Sequence, residues 1–228
     1  MEDSLTNLRC LSRIMVLSGP SGAGKSEISV NLALKLNQDK GVVLIDLDLI
    51  KPFFRLRNAR SEIQNLKVRL ITSAGEWDST DLPVIPAEVN RWLLSPNRVI
   101  IDVGGEGQGA RILKQYRDTL ESQNSLVLFV ANPYRPFSRT VQELKEQLES
   151  IQEHTGMSIK GIISNPHLKE FTDLEIIRTG HAIVEDFSKK SGLPILLLAV
   201  REDLVPLLTS SEIPLLPLKF FIRPPWEY

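Results

Sequence analysis

Near the start of the chain an apolar run, a glycine-rich octapeptide and a helical pattern follow one another almost without a gap. No other feature narrows the fold as far. Ile14-Met15-Val16-Leu17 reads as a short buried strand. Gly19-Pro20-Ser21-Gly22-Ala23-Gly24-Lys25-Ser26 follows it, with glycine, four residues, then Gly-Lys-Ser. Beyond it, Ile28, Leu32 and Leu36 recur at helical spacing, with Val30, Ala33 and Leu34 beside them. Strand, glycine loop and helix in this order aim backbone N–H groups and a helix N-terminus at one point, an arrangement suited to phosphate oxygens. In such a loop Lys25 neutralises β- and γ-phosphates, and the Ser26 hydroxyl coordinates Mg²⁺.

The rest of the chain repeats the strand–helix alternation. Residues 41–46 form an apolar run ending in Asp46, and residues 99–102 a second one ending in Asp102. Residues 67–72, 125–131, 159–164 and 194–200 also read as strands. Helical patterns fall at residues 86–94, along Ile112, Leu113, Tyr116 and Leu120, and along Val141, Leu144, Leu148 and Ile151. Thr172 with Glu175 has the spacing of a capping box, opening a helix that buries Ile176, Ile177, Ile183, Val184 and Phe187. Residues 202–208 read as a short helix. Strands apolar on both sides, alternating with helices, imply a mostly parallel sheet covered on both faces. The tail, residues 213–228, contains Pro214, Pro217, Pro224 and Pro225, so it is not a regular helix.

At 228 residues the chain is expected to form a single α/β domain. A net charge of −1 offers no general attraction to nucleic acid or anionic lipid. Cys10 is the one cysteine, so no intrachain disulfide can form, which fits a reducing compartment. Residues 5–17 are interrupted by Arg9 and Arg13 and lack a signal-peptide layout. No apolar run approaches the roughly 20 residues that cross a bilayer. A cytoplasmic protein is expected, with no membrane and no nucleic-acid partner.

Ligands of open parallel sheets bind beyond the carboxyl ends of the strands. The polar residues expected there are the glycine loop, Asp46, Asp48, residues 102–105, Asn132, Asn165 and residues 201–203. Asp102, followed by Val103-Gly104-Gly105, is placed to hold Mg²⁺ through water. Asp46 and Asp48 share one side of an extended chain and suit metal and water positioning.

Val43-Leu44-Ile45-Asp46-Leu47-Asp48 resembles the strand and first switch of the MinD/ParA group of P-loop ATPases. These are relatives of nitrogenase iron protein within the signal-recognition, MinD and BioD class. Val99-Ile100-Ile101-Asp102 with its glycines resembles that group's second switch, and Gly161-Ile162-Ile163-Ser164-Asn165 its base-recognition strand. The resemblance runs from about Arg13 to Asp203. It implies a P-loop NTPase three-layer sandwich that uses ATP and Mg²⁺. Gly19, Pro20, Ser21, Gly22, Ala23, Gly24, Lys25 and Ser26 then cradle the phosphates. Lys25 and Asp48 are the expected catalytic pair, with Asp48 orienting water. Ser26, Asp46 and Asp102 form the metal set, Gly105 senses the γ-phosphate, Asn165 contacts adenine, and Arg201 belongs to the far wall of the base pocket.

The chain departs from the group at one position. A second, signature lysine that reaches across a dimer is replaced here by Pro20. Slow hydrolysis is therefore expected, with a protein partner or a homodimer supplying the missing charge. Lys51, Arg55, Arg57 and Arg60 form a basic cluster after the first switch, read as a solvated face or a source of an arginine finger. Two other classes remain open: an ATP-dependent small-molecule enzyme, kinase-like or resembling dethiobiotin synthetase, and a nucleotide-sensing adaptor that scarcely hydrolyses ATP. His154, His167 and His181 have no ligand spacing and read as structural. Arg135, in Asn132-Pro133-Tyr134-Arg135-Pro136, is placed to touch nucleotide or a partner.

Overall fold

The computed structural model describes residues 12–37, 41–47, 68–72, 88–104, 108–208 and 212–222. Asp48, Gly105, Cys10 and the 51–60 basic cluster lie outside the described residues. The strands are β1 (Ile14–Ser18), β2 (Val42–Asp46), β3 (Arg69–Thr72), β4 (Arg98–Asp102), β5 (Leu126–Ala131), β6 (Gly161–Ser164), β7 (Ile195–Arg201) and β8 (Leu215–Leu218). They form one eight-stranded sheet in the order β3-β2-β4-β1-β5-β6-β7-β8. Every pairing in it is parallel.

Parallel strands need crossovers, and the helices supply them: α1 (Lys25–Leu36), α2 (Glu88–Leu93), α3 (Gln108–Gln115), α4 (Arg117–Ser122), α5 (Val141–Thr155) and α6 (Leu174–Ser191). The period-2 geometry of β1 divides the core. Ile14 and Val16 pack with Val89, Leu113, Leu144 and Phe187 on one face. Met15 and Leu17 pack on the other with Ile28, Leu32 and Leu36 of α1. All four of these apolar side chains are fully buried, which explains an apolar run with no alternation. The result is a three-layer helix–sheet–helix sandwich.

Two local readings need correction. The stripe Ile112, Leu113, Tyr116 and Leu120 is buried as expected, yet it spans two helices that break at Tyr116. Helix α6 is capped by Asp173, whose carboxylate accepts from Ile176 N–H at 2.8 Å. Thr172 instead accepts from Leu168 N–H at 2.9 Å, bracing the preceding turn. A capping box does occur one helix earlier, between Thr140 and Glu143 at the start of α5. The proline-rich tail contributes β8, with Pro217 on a sheet edge where a missing N–H costs little.

The tail beyond β8 is tied to α1 by side chains. Asn31 receives Lys219 N–H on its Oδ1 at 2.9 Å and donates Nδ2–H to Lys219 O at 2.9 Å, mimicking a neighbouring strand. The Glu27 carboxylate accepts the N–H groups of Phe221 and Ile222.

Candidate functional site

The glycine loop leaves the end of β1 in the middle of the sheet and runs directly into α1. Gly19 passes close to β5, where a Cβ would lie 2.7 Å from Val130 O. Gly24 is the residue before α1, at φ +95°, a left-handed conformation that L side chains rarely adopt. Any side chain there would also collide with the Asn165 amide. The loop is thus a cradle that tolerates backbone alone at these points. Ser21 and Gly22 are exposed at its apex.

No side chain caps α1. Its first-turn N–H groups, which lack intrahelical acceptors by geometry, face the loop together with the positive end of the helix dipole. Lys25 is 2% exposed, and its Nζ donates to Gly19 O and Pro20 O, both at 2.9 Å. The ammonium is therefore held at the mouth of the cradle by the loop's own carbonyls. Ser26 is half-buried in the first turn.

Two carboxylates stand beside this loop. In the β2–β4 register Asp46 is the partner of Asp102, and in the β1–β4 register Leu17 is the partner of Asp102. Ile45 and Ile101 face the layer away from α1, so alternation turns Asp46 and Asp102 toward the α1 face. Asp102 is fully buried and Asp46 is 7% exposed. Side by side and desolvated, two carboxylates repel each other, and a nearby cation stabilises them. Lys25 supplies one positive charge on that side. A divalent ion also fits the oxygen donor set of Asp46, Asp102 and Ser26.

The far side of the loop is braced from β5 and β6. Asn165, directly after β6, is 3% exposed and donates Nδ2–H to Ala23 O at 2.7 Å. Its Oδ1 is buried with no protein donor. The residue expected to contact the base thus also holds the loop. Arg201 ends β7 and is locked sideways, with Nε on Asp203 Oδ1 at 2.6 Å and Nη2 on Asp203 Oδ2 at 2.9 Å. Its Nη1 donates to Glu170 O at 3.2 Å, so Arg201 joins the loop after β6 to the end of β7.

His167, read from sequence as structural, lies among these loops. It accepts from Lys169 N–H on Nδ1 at 2.7 Å and meets Phe220 edge-to-face at 5.2 Å between centroids. Burial, then the positive charges of Arg135 and Arg201, push it down to about 4, so it is neutral at physiological pH. His181 pairs Nδ1 with the buried Ser164 hydroxyl at 2.9 Å behind β6. His154 bonds within α5.

The contribution that sequence reading left least specified is Arg135. It lies against the apex of the glycine loop: a Cβ on Gly22 would sit 3.6 Å from its Cδ and Nε and 4.0 Å from its Cζ. Only the β5–β1 adjacency brings it there, and no local motif signals that.

The described residues include no helix long and apolar enough to cross a membrane. Sheet order, glycine cradle and acidic strand ends together define a P-loop NTPase nucleotide-binding domain. Residues 14–179 match the profile of the CobQ/CobB/MinD/ParA nucleotide-binding domain, and the chain belongs to that family. No curated protein sequence matches it. Among solved structures, the cell division protein FtsY of Thermotoga maritima is similar in fold, with a TM-score of 0.57 and 18% identity over 82% of this chain and 61% of that one. The signal recognition particle receptor FtsY of Elizabethkingia anophelis has a TM-score of 0.53 and 17% identity over 86% of this chain and 64% of that one. The same receptor in complex with GDP gives 0.54 and 18%, over 83% of this chain and 57% of that one. The chain therefore spans about three fifths of the length of the structures it matches.

Proposed function

We propose that this protein binds Mg–ATP and works as a slow ATPase whose nucleotide state is read by a protein partner. The observation that carries the reading is the in-register Asp46–Asp102 pair on the α1 face, beside an uncapped helix that opens with Lys25 and Ser26. Backbone N–H groups of the loop and the first turn of α1 bind and orient the phosphate chain. Lys25 exchanges loop carbonyls for phosphate oxygens and neutralises the β- and γ-phosphates. Ser26 and Asp102 would hold Mg²⁺, and the ion would spread the charge of the terminal phosphoryl group. Asp46 stands at the head of the switch that leads to Asp48, the residue assigned to orienting water.

The choice of ATP over GTP rests on Asn165. Its amide gives one N–H to Ala23 O and keeps a second N–H and the acceptor Oδ1, the donor–acceptor pair that matches N7 and the 6-amino group of adenine. An acceptor suits the 6-amino group of adenine and is mismatched to the 6-carbonyl of guanine. The GDP bound to the Elizabethkingia receptor belongs to that protein.

Pro20 favours slow turnover, because no cation stands at that loop position. The test is ATP and GTP binding by calorimetry, followed by turnover alone and with proteins encoded nearby. Preference for ATP, with weak basal turnover raised by a partner, is expected. Equal or tighter GTP binding would remove the base assignment. Phosphoryl transfer to a small-molecule acceptor would replace the switch with a kinase.

A further inference from the structure

Arg135 is a cation with no anionic partner among the described residues, held beside a loop built for anions. Its Nε–H is buried and meets no protein acceptor. A buried guanidinium N–H without an acceptor is costly. The repulsion adds to that cost, since the positive end of α1 and Lys25 lie in the same loop.

The turn that carries Arg135 is nevertheless tightly braced. Arg135 N–H donates to Asn132 O at 3.1 Å, and Tyr134 N–H to Asn132 Oδ1 at 3.1 Å. The Tyr134 hydroxyl donates to Ile176 O at 2.7 Å, and Asn132 Nδ2–H to His167 O at 3.0 Å. Pro133 and Pro136 stiffen the backbone on either side. Bonds to the loop after β6 and to α6 thus brace the turn that carries Arg135 beside Gly22. Such pre-organisation is what a contact to a bound anion requires.

We propose that Arg135 is a phosphate contact of the nucleotide site, supplied by the chain itself from the loop after β5. The inference rests on the reading that the glycine loop binds nucleotide. It assigns the site a second fixed cation, on the opposite side of the loop from Asp46 and Asp102. A guanidinium there offers charge-assisted hydrogen bonds from Nε and Nη to phosphate oxygens at the loop apex.

The test is calorimetric titration of Mg–ATP into wild type, Arg135→Ala, Arg135→Lys and Lys25→Ala, with thermal melting of each protein without nucleotide. For Arg135→Ala we expect ATP affinity to fall roughly tenfold or more, the loss of one charge-assisted contact. Its nucleotide-free melting temperature should stay or rise, since a repelling charge has gone. Arg135→Lys should recover part of the affinity, because charge survives without the planar fork. Unchanged ATP affinity in Arg135→Ala would overturn the proposal. So would a lower nucleotide-free melting temperature with no change in affinity, which marks a purely structural brace. If Lys25→Ala weakens ATP binding and Arg135→Ala does not, only this inference fails. If the wild-type protein does not bind ATP, the reading beneath it fails.

Discussion

Asp46 and Asp102 are register partners at the carboxyl ends of β2 and β4, both turned to the face where α1 begins. Their backbones sit at the inter-strand spacing of about 4.8 Å, so their carboxylates belong to a single electrostatic unit. Asp102 O also accepts Leu47 N–H at 2.8 Å, which links the segment leaving β2 to β4. A change in what the Asp102 side chain holds would therefore reach the backbone leading to Asp48.

Asp102→Asn should uncouple Mg²⁺ from nucleotide. Wild type is expected to bind ATP more tightly with Mg²⁺ than with EDTA. The variant should bind about equally in both, because the amide is a poorer partner for a hard cation. An undiminished Mg²⁺ effect would remove Asp102 from the metal set.

Gly24→Ala should distort the loop without unfolding the sandwich. The methyl group meets the Asn165 amide at a backbone φ of +95°. Strain of this type costs on the order of 1–3 kcal/mol. ATP affinity should fall while circular dichroism keeps its helical signature. A variant with wild-type affinity would show that the loop is softer than its geometry implies.

His167 should make the protein acid-sensitive. Its value is lowered to about 4 by burial and by Arg135, Arg201 and Lys169, with Glu170 opposing. The unfolded state takes up a proton near the ordinary value of about 6.5, and the native state does not. The stability from a neutral His167 is therefore fully present above that value and is lost as pH falls toward 4. The slope approaches about 1.4 kcal/mol per pH unit, and the whole effect is on the order of 3 kcal/mol. His181 is lowered too, by burial, and adds a loss of the same sign. Urea unfolding of wild type and His167→Gln at pH 7, 6 and 5 isolates the first effect. The variant should lose less stability over that interval; parallel curves would contradict the assignment.

Glu27→Ala should loosen the tail. The substitution leaves the Phe221 and Ile222 N–H groups without their carboxylate acceptor. A loss of about 1–3 kcal/mol is expected in denaturant unfolding, with faster amide exchange at those two residues. Unchanged exchange would show that β8 alone anchors the tail.

The β1–loop–α1 unit was legible because each part carries its own signal: an apolar run, glycine spacing and a 3.6 period. The acidic ends of β2 and β4 were legible for the same reason. Their adjacency was not, because strand order β3-β2-β4-β1 is a property of tertiary packing. Asn165 was read as a base contact, and its grip on Ala23 O emerges only where β6 lies next to β5. The Glu27–Phe221 clamp joins residues 194 positions apart, so no local pattern could announce it. Tyr116 fits a helical stripe by period, yet the backbone turns there, since burying a stripe does not require one continuous helix. Asp173 displaced Thr172 as the α6 cap because both have suitable oxygens, and Thr172 is committed to Leu168.

The central claim is that the cradle between β1 and α1 binds nucleotide phosphates through Lys25. Calorimetric titration of Mg–ATP into wild type and Lys25→Ala tests it most directly, with the fold of both verified by circular dichroism. Wild type should bind, and the variant should lose at least roughly tenfold in affinity, about 1.4 kcal/mol. Equal affinity in a folded variant would contradict the account.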